Sequence, residues 1–553
     1  MSTFYIQQFG CRATQADGAA LERQLLDRGY TPAPDPASAS IVVLNTCTVT
    51  AAADAQARDS IRKIHAQNPH ARLIVTGCYA QRAPQELSTL PGVTHVVGNS
   101  HKPQIPNLIG TLSTNSSTAS LVGAQHAAPH LGIQRSATPP SAFSAFLPTA
   151  VLTQDASMPP LDVPPHSSVG ARHALPASST PSNPQPTPPA QILTGDIFAH
   201  PEFLSAPIQG GESHHTRPIL KIQDGCNNRC SFCIIPYVRG KSRSLPLDQV
   251  IREIQTLTSP QVAQVYPEPR RAILAVHRIS TQPTHTAKEI VLSGINLGTY
   301  GRDLSPKVDL LTLIRRILNE TQIDRLRLSS IEPQDVTQDL IHLFAENDRL
   351  AQHFHIPLQS ASNKILAAMY RWYRAEHYAR RLDQIHSLLP NAAIGADVIA
   401  GHPGETDSDH AATLSFIQQH PFTYLHVFSY SPRPGTKAAA HPDQVPPAVI
   451  KQRARQLRAL SEQKSAAFRH FEIGRTLKVL TLHRDDHSDS DTTPTLSTNY
   501  LRVQVPAILP SNQWVEIQVT GVEGNELRGE LTEVDHQTLC ESSAPDRVGA
   551  SLR

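Results

Sequence analysis

The sequence predicts an α/β protein of several domains: an amino-terminal open parallel α/β domain, a central partial βα barrel and a carboxy-terminal small β-barrel. Three observations carry that expectation. Short apolar runs alternate with helical periods in two separate regions, 553 residues exceed one ordinary core, and the last patterned stretch breaks into short strands separated by turn signals.

Residues 1–100 show the first alternation. An apolar run from Phe4 to Phe9 ends at Gly10 and Cys11, and a helical period follows with Leu21, Leu25 and Leu26 on one face and Gly29 as its stop. The run IVVLNTC ends at Cys47, a second helical period carries Ile61 and Ile64, and RLIVTGC ends at Cys78. Such alternation implies parallel strands joined by right-handed crossovers. The three cysteines then share the carboxyl rim of the sheet, where open α/β sheets bind ligands. Three separate core cysteines are the alternative, and one cysteine at every strand end speaks against it.

From 101 to 215 proline, serine, threonine, histidine and alanine dominate, as in ASSTPSNPQPTPPAQ. No apolar period is sustained, so the segment is expected to be a disordered linker, too poor in apolar residues to offset its ordering entropy. Residues 216–445 repeat strand-then-helix units, with strands at EIVLSGI, RLRLSSI, FHIPLQS, AAIGADVIA and YLHVFSY, interrupted by an insertion at about 259–286. This is a βα barrel or part of one. A basic connecting helix is expected at 446–471, carrying Lys451, Arg453, Arg455, Arg458, Lys464 and Arg469, and the small β-barrel at 472–538. A tail, 539–553, holds Cys540, which belongs to no motif.

Composition narrows the function classes. With 49 basic and 47 acidic side chains the net charge is +2, so a nucleic-acid surface would be local. Seven cysteines are too sparse, and odd in number, for a disulfide scaffold. The start has no signal-peptide pattern and no run reaches the ~20 apolar residues of a membrane span. The expectation is a cytoplasmic protein without a membrane partner.

Six cysteines fall into two sets of three: the dispersed Cys11, Cys47 and Cys78, and the compact Cys226, Cys230 and Cys233 in QDGCNNRCSFCIIP. Thiolates suit iron–sulfur clusters, zinc and copper(I). A zinc site would normally take a fourth cysteine or a histidine, and the compact loop offers none at suitable spacing. Three ligands on a four-iron cluster leave one iron open, and two such sites point to redox chemistry.

A CxxxCxxC after the first strand of a βα barrel resembles the radical S-adenosylmethionine (SAM) enzymes. There the open iron holds the methionyl amine and carboxylate, and one electron splits the sulfonium into methionine and a 5′-deoxyadenosyl radical. NTCTVT, TGCYAQR, QDGCNNRCSFCIIPYVRGKSRS, LSGINLGTYG, SSIEP, HIPLQSAS, MYRWY, GADVIAGHPGET and FSYSPRPGT narrow the resemblance to the methylthiotransferases, over most of the chain outside the two insertions and the tail. The resemblance implies an amino-terminal iron–sulfur domain, a barrel of radical SAM type and a TRAM-like RNA-binding β-barrel. It implies two 4Fe–4S clusters, with Cys226, Cys230 and Cys233 catalytic and Cys11, Cys47 and Cys78 holding the second cluster and its sulfur. It also implies SAM, used once for methylation and once for transfer, an electron donor such as flavodoxin or ferredoxin, and a sulfur source. The wording NTCTVT, QDGCN and CIIP is most similar to the branch that methylthiolates carbon 2 of N(6)-threonylcarbamoyladenosine at position 37 of tRNA. That carbon bears no acidic proton, which suits radical chemistry. Sister branches act on isopentenyladenosine in tRNA or on an aspartate of a ribosomal protein. A non-catalytic iron–sulfur RNA-binding sensor is the different class of reading, and two complete cysteine sets argue against it.

Polar residues at the strand ends of a βα barrel face its mouth. Ser293, Gly294 and Asn296, then Ser329, Ser330 and Glu332, then Gln359 and Ser360 hold such positions, and the resemblance suggests cofactor or substrate contacts for them; loop hydrogen bonding is the other reading. Arg239 and Arg243 are candidates to hold phosphate, the cofactor carboxylate or the acidic N(6) substituent, or to have a solvated structural role. The basic helix is a candidate to touch the tRNA backbone or to be a solvated face. The chain departs from the family wording at Thr14, His402, Ala361 and Thr481, none of them a cluster ligand.

Overall fold

The computed structural model describes residues 2–115, 189–199, 203–204, 216–259, 286–484 and 491–532. The amino-terminal sheet contains β1 (Thr3–Gln8), β2 (Thr31–Pro32), β3 (Ile41–Thr46), β4 (Arg72–Gly77), β5 (Val93–Gly98) and β6 (Gln191–Leu193), all parallel in the order β2-β1-β3-β4-β5-β6. Its central strands carry continuous apolar runs, from Ile41 to Leu44 and from Leu73 to Val75, because both faces are covered. Val42, Leu44, Leu73 and Val75 pack against Ala57, Ile61 and Ile64 of α2 (Ala51–Gln67). Ile41, Val43, Ile74 and Val97 pack against Leu21 and Leu25 of α1 (Arg12–Asp27) and Ile105 and Ile109 of α5 (Ile105–Asn115). Two short helices, α3 (Cys78–Arg82) and α4 (Pro84–Ser88), follow β4.

Two stretches of the expected linker are therefore built into this sheet. Apolar residues at helical spacing (Ile105, Ile109) seat α5 on the sheet, and β6 adds a strand through His95↔Gln191 and Val97↔Leu193. Proline and serine dominate the average composition and mask these two short segments. The part at 116–188 lies outside the described residues, as do 260–285 of the second insertion.

The barrel begins at β7 (Ile219–Lys221). A small antiparallel ribbon, β8 (Gln223–Asp224) with β9 (Arg243–Ser244), brackets the compact cysteine loop and α6 (Ile235–Arg239). The helix α7 (Leu247–Thr258) follows. Then come β10 (Glu289–Ser293), β11 (Arg325–Leu328), β12 (His353–His355), β13 (Ala393–Ala400) and β14 (Tyr424–Ser429). Two parallel sheets, β11-β10-β7 and β12-β13-β14, are bridged at Leu326↔Leu350 and Ser330↔His355 into an open, partial barrel.

Period-two alternation divides its faces. Leu220, Ile290, Leu292, Leu326, Leu328, Phe354, Ile394, Ala396, Val398 and Leu425 point outward into the helical layer. The alternate positions are largely polar: Lys221, Glu289, Arg325, Arg327, His353, His355, Asp397 and His426. The inner face is shared by the other domains. Ala16 of α1 packs on Ile219 and Val291, so a helix of the amino-terminal domain lies against the barrel's inner wall.

The carboxy-terminal domain is a closed barrel of β15 (Thr476–Thr481), β16 (Thr493–Ser497), β17 (Arg502–Val505), β18 (Trp514–Glu523) and β19 (Glu526–Leu531), around Val479, Val503, Val515, Ile517 and Leu527. Arg325 and Arg327, both ion-paired with the buried Glu289, donate to the carbonyls of Leu496 and Ser497 at 3.2 Å, which docks this domain on the central one. Tyr500 packs at a tilt against His353, 4.4 Å between ring centres, and its hydroxyl takes a hydrogen bond from Arg12 at 3.4 Å. All three domains therefore meet at the barrel's inner face. Thr481 is buried and donates to Pro510 O at 2.6 Å, a structural use of that position.

The helix Pro447–Phe471 packs Ala454 and Leu457 into the barrel's outer core. Three of its six cations turn inward. Arg453 pairs with Glu405 at 2.7 Å, Lys464 donates to the carbonyls of Gln418 and His420 at 2.8 Å, and Arg469 is buried. Lys451, Arg455 and Arg458 are exposed.

Candidate active site

The compact cysteine loop sits at the carboxyl end of the first barrel strands. Gly225 (φ +71°) turns the chain where an added Cβ would lie 2.0 Å from Lys241 O, and Cys226 N donates to Gly240 O at 3.1 Å. Cys226 Sγ accepts from Asn228 N at 3.4 Å and Asn296 Nδ2 at 3.7 Å; Cys230 Sγ accepts from Arg371 Nη1 at 3.4 Å. Burial, followed by the neighbouring Cys230 and Cys226, pushes the Cys233 thiol up to about 12.

The dispersed set converges in the same manner. Cys11 precedes α1, Cys47 follows β3 and Cys78 opens α3. Gly10 (φ +90°) lies so close that a Cβ there would stand 2.8 Å from Cys47 Sγ. Burial, and then the charges of Cys78 and Cys11, push the Cys47 thiol up to about 12. Cys78 accepts from Asn99 Nδ2 at 3.5 Å, and Thr14 Oγ1 lies 3.6 Å from Cys11 Sγ.

These thiols fit a cluster. All six cysteines among the described residues are free, and each set gathers three soft donors. Crowded, buried thiols resist ionisation unless a metal supplies the opposing charge. Hydrogen bonds to the sulfurs from Asn296, Arg371 and Asn99 are of the kind that set cluster potentials.

A buried ion network joins the two sets. Asp17, on the inward face of α1, pairs with Lys102 at 2.8 Å, with Arg239 at 3.1 Å and with Lys221. Asp224 pairs with Arg239 at 2.9 Å and Lys221 at 3.0 Å, and Arg239 also donates to Thr14 Oγ1 at 3.2 Å. Burial alone would raise the Asp17 carboxyl, but Lys102, Lys221 and Arg239 together outweigh it and hold the group down to about 2. Cys78 packs on Ile234 and Val238 of the compact loop, and Asn99 donates to Val238 O at 2.8 Å. Arg239 is thus a buried structural cation between the domains, which corrects the expectation that it meets phosphate, cofactor or an acidic substituent. Arg243 donates to Arg239 O at 2.8 Å and stands 3.8 Å from Asp224, so it belongs to the same network.

The strand-end residues gather at the mouth. Ser293 is buried at the end of β10, and Gly294 lies where a Cβ would meet Gln223 Oε1 at 2.9 Å. Asn296 N donates to that same oxygen at 2.7 Å while its side chain reaches Cys226. Ser330 bridges to His355, and Glu332 is ion-paired with Arg371. Asn296 Oδ1 and Ser329 Oγ are buried without a hydrogen-bond partner among the described residues, as atoms awaiting a polar ligand would be. Gln359 (φ +61°) lines a cavity of about 210 Å³ with Cys233, Asp397, Ile399, Phe428, Tyr430 and Arg433 of the barrel and Val49 and Thr50, just beyond Cys47. Ser360 is turned away, with its hydroxyl 3.3 Å from Thr413.

Two further departures are buried in the barrel, one of them behind the compact cysteine loop. His402 is buried, its Nε2 is 3.2 Å from Ser231 Oγ, and burial lowers its pKa to about 4, so it is a neutral ring behind the cysteine loop. Ala361 is buried, its N–H donating to Thr413 Oγ1.

Sequence reasoning missed Arg371 and the trio His355, Asp397 and His426. His355 Nε2 is 3.0 Å from Asp397 Oδ1, its Nδ1 is 3.0 Å from Tyr424 OH, and His426 Nδ1 is 3.3 Å from the same carboxylate oxygen. Both nitrogens of His355 are thus engaged within the protein. The trio lies at the inward phase of β12, β13 and β14, a position the alternation of polar residues in those strands could have marked.

A three-thiol loop after the first strand of a parallel partial barrel, with polar strand ends at its mouth, defines a radical SAM enzyme. The radical SAM superfamily matches residues 220–417, and the family described as "Uncharacterized protein family UPF0004" matches residues 3–98. A Bacillus subtilis protein named threonylcarbamoyladenosine tRNA methylthiotransferase MtaB is 31% identical, covering 84% of this chain and 81% of its own. The Aquifex aeolicus protein of that name is 28% identical, covering 87% and 92%. A Syntrophobacter fumaroxidans protein named tRNA-2-methylthio-N(6)-dimethylallyladenosine synthase is also 28% identical, covering 95% of each chain. The chain belongs to the radical SAM methylthiotransferase family. Membership brings two 4Fe–4S clusters and SAM as cofactors. Among the described residues no helix is long and apolar enough to cross a membrane.

Proposed function

We propose that this enzyme adds a methylthio group to carbon 2 of N(6)-threonylcarbamoyladenosine at position 37 of tRNA. The observation that carries the reading is the shared cavity: its wall includes Cys233 of one set and Val49 and Thr50, two and three residues beyond Cys47 of the other. A base admitted there lies beside both sulfur-rich sites. In this reading Cys226, Cys230 and Cys233 hold the cluster that cleaves SAM, and Cys11, Cys47 and Cys78 hold the cluster that supplies the sulfur. Bound together, these cofactors supply the 5′-deoxyadenosyl radical and the methylthio group. The protein's own work is positioning. Asn296 and Arg371 hold the sulfurs of Cys226 and Cys230. Ser293, Gly294, Asn296, Ser330, Glu332 and Gln359 form the mouth for the cofactor, and the closed carboxy-terminal barrel offers a grip on the RNA backbone.

The relatives split between two N(6) substituents at similar identity, so the substituent rests on chemistry. A threonylcarbamoyl group carries a carboxylate; an isopentenyl group is apolar. Arg433 is paired with Asp54 at 2.6 Å and donates to Thr48 O at 3.1 Å, but unlike Arg239 it lines the cavity, and this reading assigns it to the substituent's carboxylate. Reconstituted enzyme given SAM, reductant and a sulfide source should methylthiolate tRNA carrying threonylcarbamoyladenosine and leave tRNA carrying isopentenyladenosine unchanged, read by nucleoside mass spectrometry. The reverse preference moves the chain to the sister activity, and no product with either removes the tRNA reading.

A further inference from the structure

The segment Met369–Arg374 alternates strictly. Met369, Arg371 and Tyr373 turn inward, while Tyr370, Trp372 and Arg374 turn out. The inward residues fix the segment to the radical site. Met369 O accepts from Ser231 N at 3.1 Å, inside the compact cysteine loop, and Arg371 reaches Cys230 Sγ and Glu332. Tyr373 OH donates to the carbonyls of Pro357 and Leu358 at 3.0 and 2.8 Å. The outward phase of such a segment ordinarily carries small polar side chains. Here it carries two large aromatic rings. Trp372 is 83% exposed, the highest among the large apolar side chains of the described residues, and Tyr370 is 46% exposed. Tyr370 also holds φ +59°, a left-handed conformation that disfavours a residue of its bulk and that costs backbone energy. Lys437 stands over its ring, 4.9 Å from the centre, and donates to its hydroxyl at 3.4 Å. The neighbouring Ala438 N donates to Ser231 O at 2.8 Å, so the lysine too is tethered to the cysteine loop.

We propose that Trp372 and Tyr370, flanked by Lys437 and Arg374, form a stacking platform for unpaired RNA bases at the rim of the barrel. The inference rests on the tRNA reading above and names the surface that would meet the nucleotides beside the extruded base. Aromatic faces take any base by stacking, and adjacent cations follow the phosphates; this pairing is how single-stranded RNA is held without sequence readout. Arg371, between the rings, touches the Cys230 sulfur, so a base stacked outside them brings its neighbour to the cavity mouth. An inward set locked by five polar contacts makes the platform rigid before RNA arrives, which lowers the ordering cost of binding.

The sequence holds two tryptophans, Trp372 and Trp514, the second in the carboxy-terminal barrel with its indole donating to Asp324 at 2.9 Å. The Trp514→Phe protein therefore reports on Trp372 alone. An end-labelled anticodon stem-loop carrying N(6)-threonylcarbamoyladenosine is titrated into it, with binding read by anisotropy and Trp372 by its fluorescence. The expected result is saturable quenching of Trp372 that follows the anisotropy curve. In the otherwise native protein, Trp372→Ala should weaken RNA binding about tenfold, the scale of one lost stack, and Trp372→Phe should restore most of it. RNA that binds without changing Trp372 fluorescence, together with an unaltered affinity in Trp372→Ala, overturns the platform and leaves the tRNA reading standing. Quenching by reduced flavodoxin but not by the RNA overturns it in favour of an electron-donor surface. RNA that binds nowhere on the protein overturns both readings.

Discussion

The two cysteine sets reach the same geometry by opposite routes. The compact set lies in one loop, and Gly225 and the β8–β9 ribbon close it locally. The dispersed set needs an entire sheet, since Cys11, Cys47 and Cys78 meet only because β1, β3 and β4 are parallel and end on one rim. A local loop keeps its ligands together as long as the loop survives, whereas a rim site exists only in the folded domain. The dispersed site also depends on the network around Asp17, which holds α1, and with it Cys11, to the barrel. Each set has one cysteine, Cys47 or Cys233, whose thiol desolvation pushes up to about 12, so in each the metal must supply the charge that the surroundings withhold.

The comparison can be broken at either end. Replacing Cys226, Cys230 and Cys233 by alanine should halve the iron of anaerobically reconstituted protein and abolish 5′-deoxyadenosine formation; unchanged iron content would remove the assignment of that loop as a cluster site. Asp17→Ala should act on the junction. It leaves Lys102 buried without its carboxylate and Lys221 and Arg239 with Asp224 alone, a loss on the order of 3–5 kcal/mol in denaturant unfolding. Its iron loss should be concentrated in the dispersed set, because the barrel loop is closed without α1; equal loss from both sets would contradict the distinction between loop and rim. The smallest effect is on acid stability. Asp17's folded pKa, about 2, lies below its ordinary 3.8, so the unfolded chain binds more protons between those values. Its contribution is complete above about pH 4 and lost as pH falls toward 2. The native protein should lose more stability than Asp17→Asn over that interval, and parallel curves would show that Asp17 is not held low.

Much of this was legible in the sequence because the relevant signals are local or periodic. Each dispersed cysteine ends an apolar run, and the compact set is a spacing pattern. The strand ends Ser293 to Asn296 and Ser330 to Glu332 follow from barrel geometry. The junction was not legible. Asp17 lies one helical turn before Leu21 and two before Leu25, so a charge on the buried phase of α1 was the available sign, but its partners Lys102, Lys221 and Arg239 lie far along the chain. Arg239 beside a cysteine loop suggests an anion site until the folded chain brings Asp17 and Asp224 to it. The ends of the proline-rich segment were lost for another reason: a few apolar residues such as Ile105 and Ile109 suffice to dock a helix, and composition averaged over a long window hides them.

The division of labour between the two sets is the central claim, and one measurement reaches it most directly. Protein with Cys11, Cys47 and Cys78 all replaced by alanine is reconstituted with iron and sulfide, then given SAM, reductant and tRNA carrying threonylcarbamoyladenosine. 5′-Deoxyadenosine and methylthiolated nucleoside are quantified together. The expected result is half the iron, continued formation of 5′-deoxyadenosine and no methylthiolated product. Methylthiolated nucleoside from this protein, or the loss of 5′-deoxyadenosine while the barrel's cluster remains, would contradict the separation of radical formation from sulfur supply.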